Sequence, residues 1–142
     1  MQVENILQAK GHDVVTVAAT APISAAVDLL NTRHIGAVVV VDASGNVAGI
    51  LSERDVVRHL GTDWGTLPNK PVSDIMTKNV ITAPSGTSVA ELMERMTEHR
   101  IRHIPVVDNG NLVGIVSIGD VVKRKIEETE QEALALKEYI AS

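Results

Sequence analysis

Two nine-residue stretches constrain this chain more than any other feature: GILSERDVV from Gly49 to Val57, and GIVSIGDVV from Gly114 to Val122. Each reads Gly, two apolar residues, Ser, and then an Asp three positions after the Ser. The likeness extends in both directions. The sequence from residue 14 onward lies over that from residue 80 onward with one deletion in a turn. Val14 matches Val80, Thr16 matches Thr82, and Ile35 matches Ile101, while Val40-Val41-Asp42 matches Val106-Val107-Asp108. After the deletion, Gly45-Asn46 meets Gly110-Asn111, and Ser52 and Asp55 meet Ser117 and Asp120. Upstream, VENIL (3–7) echoes VSDIM (72–76). A unit copied at this period is a supersecondary module that buries its apolar face against its twin.

Each copy reads as strand, helix, strand, turn, strand, helix. VVTV and VIT are short β-branched runs, and TAPISAAVDLLNTRH opens with a Thr cap and an early Pro before Val27 and Leu30 at helical spacing. AVVVVD and HIPVVD are near-continuous apolar runs, as strands buried on both faces require. ASGN and NGN are tight turns that fold the next strand back antiparallel. The closing helices start at Ser52 and Ser117. The expected organisation is a first repeat over 3–62, a Gly- and Pro-rich linker over 63–71, a second repeat over 72–126 and a helical extension over 127–142. In that extension Ile126, Ala133, Leu134 and Ile140 can form a partner-facing stripe beside a solvated glutamate face.

Composition removes several classes of function. The 142 residues carry a net charge of −5, without the basic field that nonspecific nucleic-acid binding needs. Trp64 and Tyr139 are the only aromatics, so no base-stacking platform can be built. A bound purine must be gripped by aliphatic side chains and backbone. No apolar run reaches the roughly twenty residues of a membrane span, and the N-terminus lacks a signal-peptide pattern. With no Cys there is no disulfide, thiolate metal site or Cys nucleophile, which fits a cytoplasmic location.

The repeated Ser and Asp admit two readings. Ser followed three residues later by an acidic side chain at a helix start resembles a capping box, although that motif prefers Glu or Gln. Alternatively, the strand delivers the Ser to a helix N-terminus, whose free N–H groups favour a phosphate. An Asp one turn in can then accept hydrogen bonds from a ribose diol. The two roles can coexist.

Strand, helix, IPVVD, turn, GIVSxxD and helix, written twice, resemble a tandem pair of cystathionine-β-synthase (CBS) domains, a Bateman module. The resemblance covers residues 3–126. It implies an α+β fold of two βαββα repeats related by a pseudo-twofold, their sheets packed together with helices outside and a cleft on either side. It further implies a non-enzymatic sensor that binds adenosine-containing ligands (AMP, ADP, ATP, S-adenosylmethionine or a nicotinamide dinucleotide such as NAD) and passes the state to a downstream protein. Stand-alone modules of this kind pair into homodimers.

Carried onto this sequence, the resemblance points to Ser52, Arg54 and Asp55 in the first copy and to Ser117, Gly119 and Asp120 in the second. The aspartates would hold ribose and Arg54 would serve phosphate; with Gly119 in the matching place, a phosphate in the second copy must find its cation elsewhere. The residues at the entrance of the central strand, Gly36-Ala37 and Arg102-His103 with Ile104, join them, and only the second pair is cationic, so the sites are expected to be unequal. Val15 and Ile81 would line the adenine, with Thr16 and Thr82 beside them among the binding residues, although from the residues alone Val15 and Ile81 read as ordinary core.

Other constellations point less far. His99 and His103 stand four apart, as zinc ligands on a helix do, but His103 falls at a strand entrance and two arginines lie between them. Met93 and Met96 read as core fillers. Two alternatives to the sensor stay open: a dimerisation adaptor whose Ser-Asp phrases only cap helices, and a His-based metal protein.

Overall fold

The computed structural model describes residues 1–141. Helix α1 (Val3–Lys10) precedes the first copy, which comprises β1 (Thr16–Ala18), α2 (Ile23–Arg33), β2 (Ala37–Val41), β3 (Val47–Ser52) and α3 (Glu53–Asp63). Two single 3-10 turns, Leu67–Asn69 and Val72–Asp74, lead to the second copy: α4 (Val89–His99), β4 (His103–Asp108), β5 (Asn111–Ser117) and the long α5 (Ile118–Ala141). In the first sheet β2 is central, parallel to β1 and antiparallel to β3. Val38, Val39 and Val40 are fully buried, as their unbroken apolar run requires.

The second sheet has two strands, not the three expected. The VIT run at 80–82 forms no strand, and its ladder shrinks to one parallel bridge between Ala83 and Val106. One residue accounts for this. In the first copy the Val39 N–H donates to the Val15 carbonyl at 3.1 Å. The matching residue in the second copy is Pro105, which has no N–H to donate to Ile81. Helix α2 also departs from expectation: Pro22, not Thr20, holds its N-cap position, and no side chain caps it. Its counterpart α4 is capped by the Ser88 hydroxyl, which accepts from the Glu91 N–H at 3.1 Å.

The copies exchange their leading segments. Val3, Ile6 and Leu7 of VENIL are buried among Leu92, Met96, Ile104 and Val116 of the second copy. Val72 and Ile75 of VSDIM are buried with Ile23, Leu30 and Leu51 of the first, joined there by Leu67 from the inter-copy segment. The backbone bonds repeat in pairs. The Val3 N–H donates to the Thr87 carbonyl as the Val72 N–H does to Ala21, both at 2.8 Å, and Glu4 to Ser85 corresponds to Ser73 to Ala19. Reciprocal exchange of this kind is what a pseudo-twofold between the copies produces. Each side chain buried this way contributes roughly 1.5–3 kcal/mol. Neither core is complete without the segment preceding the other copy.

The exchange also explains the glycine that opens each nine-residue phrase. A Cβ on Gly114 would come 2.6 Å from Leu7 Cδ2, and one on Gly49 would come 2.5 Å from Met76 Sδ. Leu7 and Met76 close VENIL and VSDIM. Each glycine is the socket for the arriving segment's last apolar residue.

Candidate functional site

Antiparallel register places Ala37 opposite Ser52 and His103 opposite Ser117. Each strand entrance is therefore joined to a helix start, and backbone bonds fix the join: the Glu53 N–H donates to the Gly36 carbonyl at 3.0 Å, and the Ile118 N–H to that of Arg102 at 2.8 Å.

Both aspartates cap their helices. The Ser52 N–H donates to Asp55 Oδ2 at 2.9 Å and the Ser52 hydroxyl to the same oxygen at 3.1 Å, while the Asp55 N–H donates back to Ser52 Oγ at 3.3 Å. In the second copy the Ser117 N–H reaches Asp120 Oδ2 at 2.8 Å, and the Asp120 N–H returns to Ser117 Oγ at 3.2 Å. The capping reading is thus correct in both copies. It uses one oxygen of each carboxylate. Oδ1 of Asp55 and Oδ1 of Asp120 accept no hydrogen bond among the described residues. Both carboxylates are half-buried and locked in rotamer, with one acceptor still to offer.

The two sites differ in what surrounds that acceptor. Lys10, at the end of α1, donates to Asp120 Oδ2 at 2.8 Å and to the Ile115 carbonyl at 2.9 Å. Burial pushes the Asp120 carboxyl up, but the Lys10 ammonium and the Ser117 donors outweigh it and hold the group below its ordinary value. In the first copy the carbonyl matching Ile115 belongs to Ile50, and the Thr77 N–H takes it at 2.9 Å. Among the described residues no lysine pairs with Asp55.

His103 sits where the copies meet. Its ring lies against Gly36, where a Cβ would come 3.3 Å from both Cε1 and Nε2. Burial lowers its pKa below 6.5; Asp120 and Glu53 pull the other way, and Lys10 and Arg102 reinforce the burial. The balance favours the neutral ring.

The remaining expected residues fall into three groups. Val15 and Ile81 are half-buried and Thr16 and Thr82 exposed, in neighbouring positions at the edge of each sheet. Ala37 and Ile104 are buried, so Ile104 can offer a ligand only its backbone. Arg54, Arg102 and Gly119 are exposed, and Arg54 makes no ion pair among the described residues. Met96 is core, but Met93 is exposed, facing a groove between α4 and α5 beside Ala90 and Lys125. His99 ends α4, and Arg100 turns into the left-handed region before His103, so the two histidines do not share a helix face. No cluster of three metal-ligating side chains occurs among the described residues.

Lys10 escaped the sequence reading. Its partner is 110 residues away in the other copy, and only the exchange of α1 brings them together.

Comparison with known proteins decides the family. The CBS domain model matches residues 5–62 and 72–127. The chain belongs to the CBS-domain family. This CBS pair is 39% identical over 119 residues to the mitochondrial CBS domain-containing protein CBSX3 of Arabidopsis thaliana, matching 81% of this chain and 58% of that protein. The chain thus spans just over half the length of that relative. A CBS-domain containing protein from Agrobacterium tumefaciens shares the fold with a TM-score of 0.84 and 46% identity, over 87% of this chain and 92% of that one. A CBS domain pair solved in complex with 5′-methylthioadenosine and S-adenosyl-L-methionine matches with a TM-score of 0.77 and 29% identity, over 87% of this chain and 98% of that one. Among the described residues no helix is long and apolar enough to cross a membrane.

Proposed function

We propose that this CBS pair is a non-enzymatic sensor that binds adenine nucleotides, AMP, ADP, ATP or an NAD-type ligand, in its two clefts and passes the bound state to a partner protein. One observation carries the reading: each repeat holds an Asp whose Oδ2 is locked by the helix cap while Oδ1 stays open. A carboxylate fixed in this way accepts a ribose hydroxyl without losing rotamer freedom on binding. The complex of the related CBS pair with two adenosine-containing molecules supports the same ligand class. Val15 and Ile81 supply the aliphatic surface that adenine needs in a chain without aromatic platforms. Calorimetric titration with AMP, ATP and NAD tests this, and an absence of heat or thermal stabilisation with all three contradicts it.

We also infer that two copies of the chain associate. Val57 and Val122, matching residues of the two closing helices, are 66% and 48% exposed, and Ile126, Leu134 and Ile140 continue the apolar surface along α5. Sedimentation equilibrium at tens of micromolar, about the range of modest interfaces, should give a dimer. A monomer there rejects it.

A further inference from the structure

We propose that Lys10, Lys123 and Arg124 form an anion subsite of the second cleft, which holds the phosphate of an adenosine ligand whose ribose lies on Asp120. The proposal rests on the nucleotide-binding reading and adds to it the cation that Gly119 does not provide. A recess of about 120 Å³ opens beside Asp120, lined by Lys10, Lys123, Arg124 and Glu127. Ligand pockets for whole small molecules run to roughly 300–1,000 Å³, so this recess is too small for a nucleoside. Its size suits one oxyanion.

The charges favour that occupant. Three cations meet two carboxylates on the recess wall, in a chain whose overall charge is −5, so the attraction is local. Asp120 is held by Lys10, and Glu127 lies 3.6 Å from Arg124. Lys123 makes no ion pair or hydrogen bond among the described residues. The Lys10 ammonium has three donors and spends two, on the Ile115 carbonyl and Asp120 Oδ2. Its third N–H remains unspent, on the ammonium that holds the same carboxylate whose Oδ1 is open. Donor and acceptor on one ion pair match a phosphate and a hydroxyl of one sugar phosphate. In the first cleft the matching Ile50 carbonyl accepts from the Thr77 N–H instead, and Asp55 has no lysine partner among the described residues.

The test compares AMP with adenosine, which lacks the phosphate, by calorimetry on the full chain and on Lys10→Gln and Lys123→Gln. Lys123→Gln removes no ion pair or hydrogen bond among the described residues and should melt as the wild type does. AMP affinity at one of the two sites should fall at least tenfold in Lys10→Gln and severalfold in Lys123→Gln, with adenosine binding unchanged in both. Inorganic phosphate should compete with AMP at that site and leave adenosine in place. The subsite is refuted if adenosine binds and AMP affinity is unaltered in both variants. It is refuted equally if each substitution weakens AMP and adenosine alike, since Lys10 would then only hold Asp120. If neither ligand binds the wild type, the nucleotide-binding reading fails and the subsite with it.

Discussion

Leu7 fills the space that Gly114 leaves over β5, and the fit is close enough that a single added methyl would come 2.6 Å from Leu7 Cδ2. Gly114→Ala should therefore act as overpacking and cost about 1–3 kcal/mol. In a Leu7→Ala background the methyl has room, so the two losses should not add. Urea denaturation of the four variants of the cycle measures the coupling. An absence of coupling between Gly114→Ala and Leu7→Ala would contradict the contact.

The exchanged segments predict how the chain can be divided. A fragment of residues 77–141 lacks Val3, Ile6 and Leu7, three buried members of its core, and carries no VSDIM segment to take their place. It should show no cooperative thermal transition. Joining residues 1–12 ahead of 77–141 supplies them and should restore one. Circular dichroism melts distinguish the two fragments, and cooperative folding of 77–141 alone would contradict the exchange.

His103 predicts a pH dependence. Its pKa is lowered from 6.5, chiefly by burial, so between the folded value and 6.5 the unfolded chain binds more protons than the folded one. Its contribution to stability is complete above 6.5 and is lost as pH falls through the folded value. Asp120, also lowered but from 3.8, acts in a separate, more acidic window. His103→Gln should flatten the stability profile between pH 5 and 7, in the range that an ordinary histidine pKa defines. Denaturation series at several pH values check this; an equally steep variant would assign the slope to other groups.

The repeat made the fold legible, because copied apolar spacing and copied turns leave few alternative architectures. Pro105 was equally visible in HIPVVD, and its missing N–H is the reason the third strand of the second sheet reduces to a bridge at Ala83. The exchange was not legible. VENIL and VSDIM carry the same apolar pattern, so either could serve either core, and only the path of the intervening chain decides between them. In the candidate site, the paired Ser and Asp announced both a cap and a ligand acceptor. Which carboxylate oxygen serves the cap is a matter of rotamer. The Lys10–Asp120 pair depends on long-range packing that no local spacing encodes.

The central claim is that Asp55 and Asp120 accept ribose hydroxyls through the oxygen their caps leave open. Titration of AMP against its 2′-deoxy analogue, in the wild type, Asp55→Ala and Asp120→Ala, tests it most directly. Hydrogen bonds to charged groups contribute roughly 1.5–3 kcal/mol, so the wild type should prefer AMP by about tenfold to a hundredfold. Each substitution should abolish that preference at its own site, alongside a capping loss of roughly 0.5–2 kcal/mol in stability. Equal affinity of the wild type for both ligands, with variants that melt earlier yet bind AMP normally, would reduce both aspartates to helix caps.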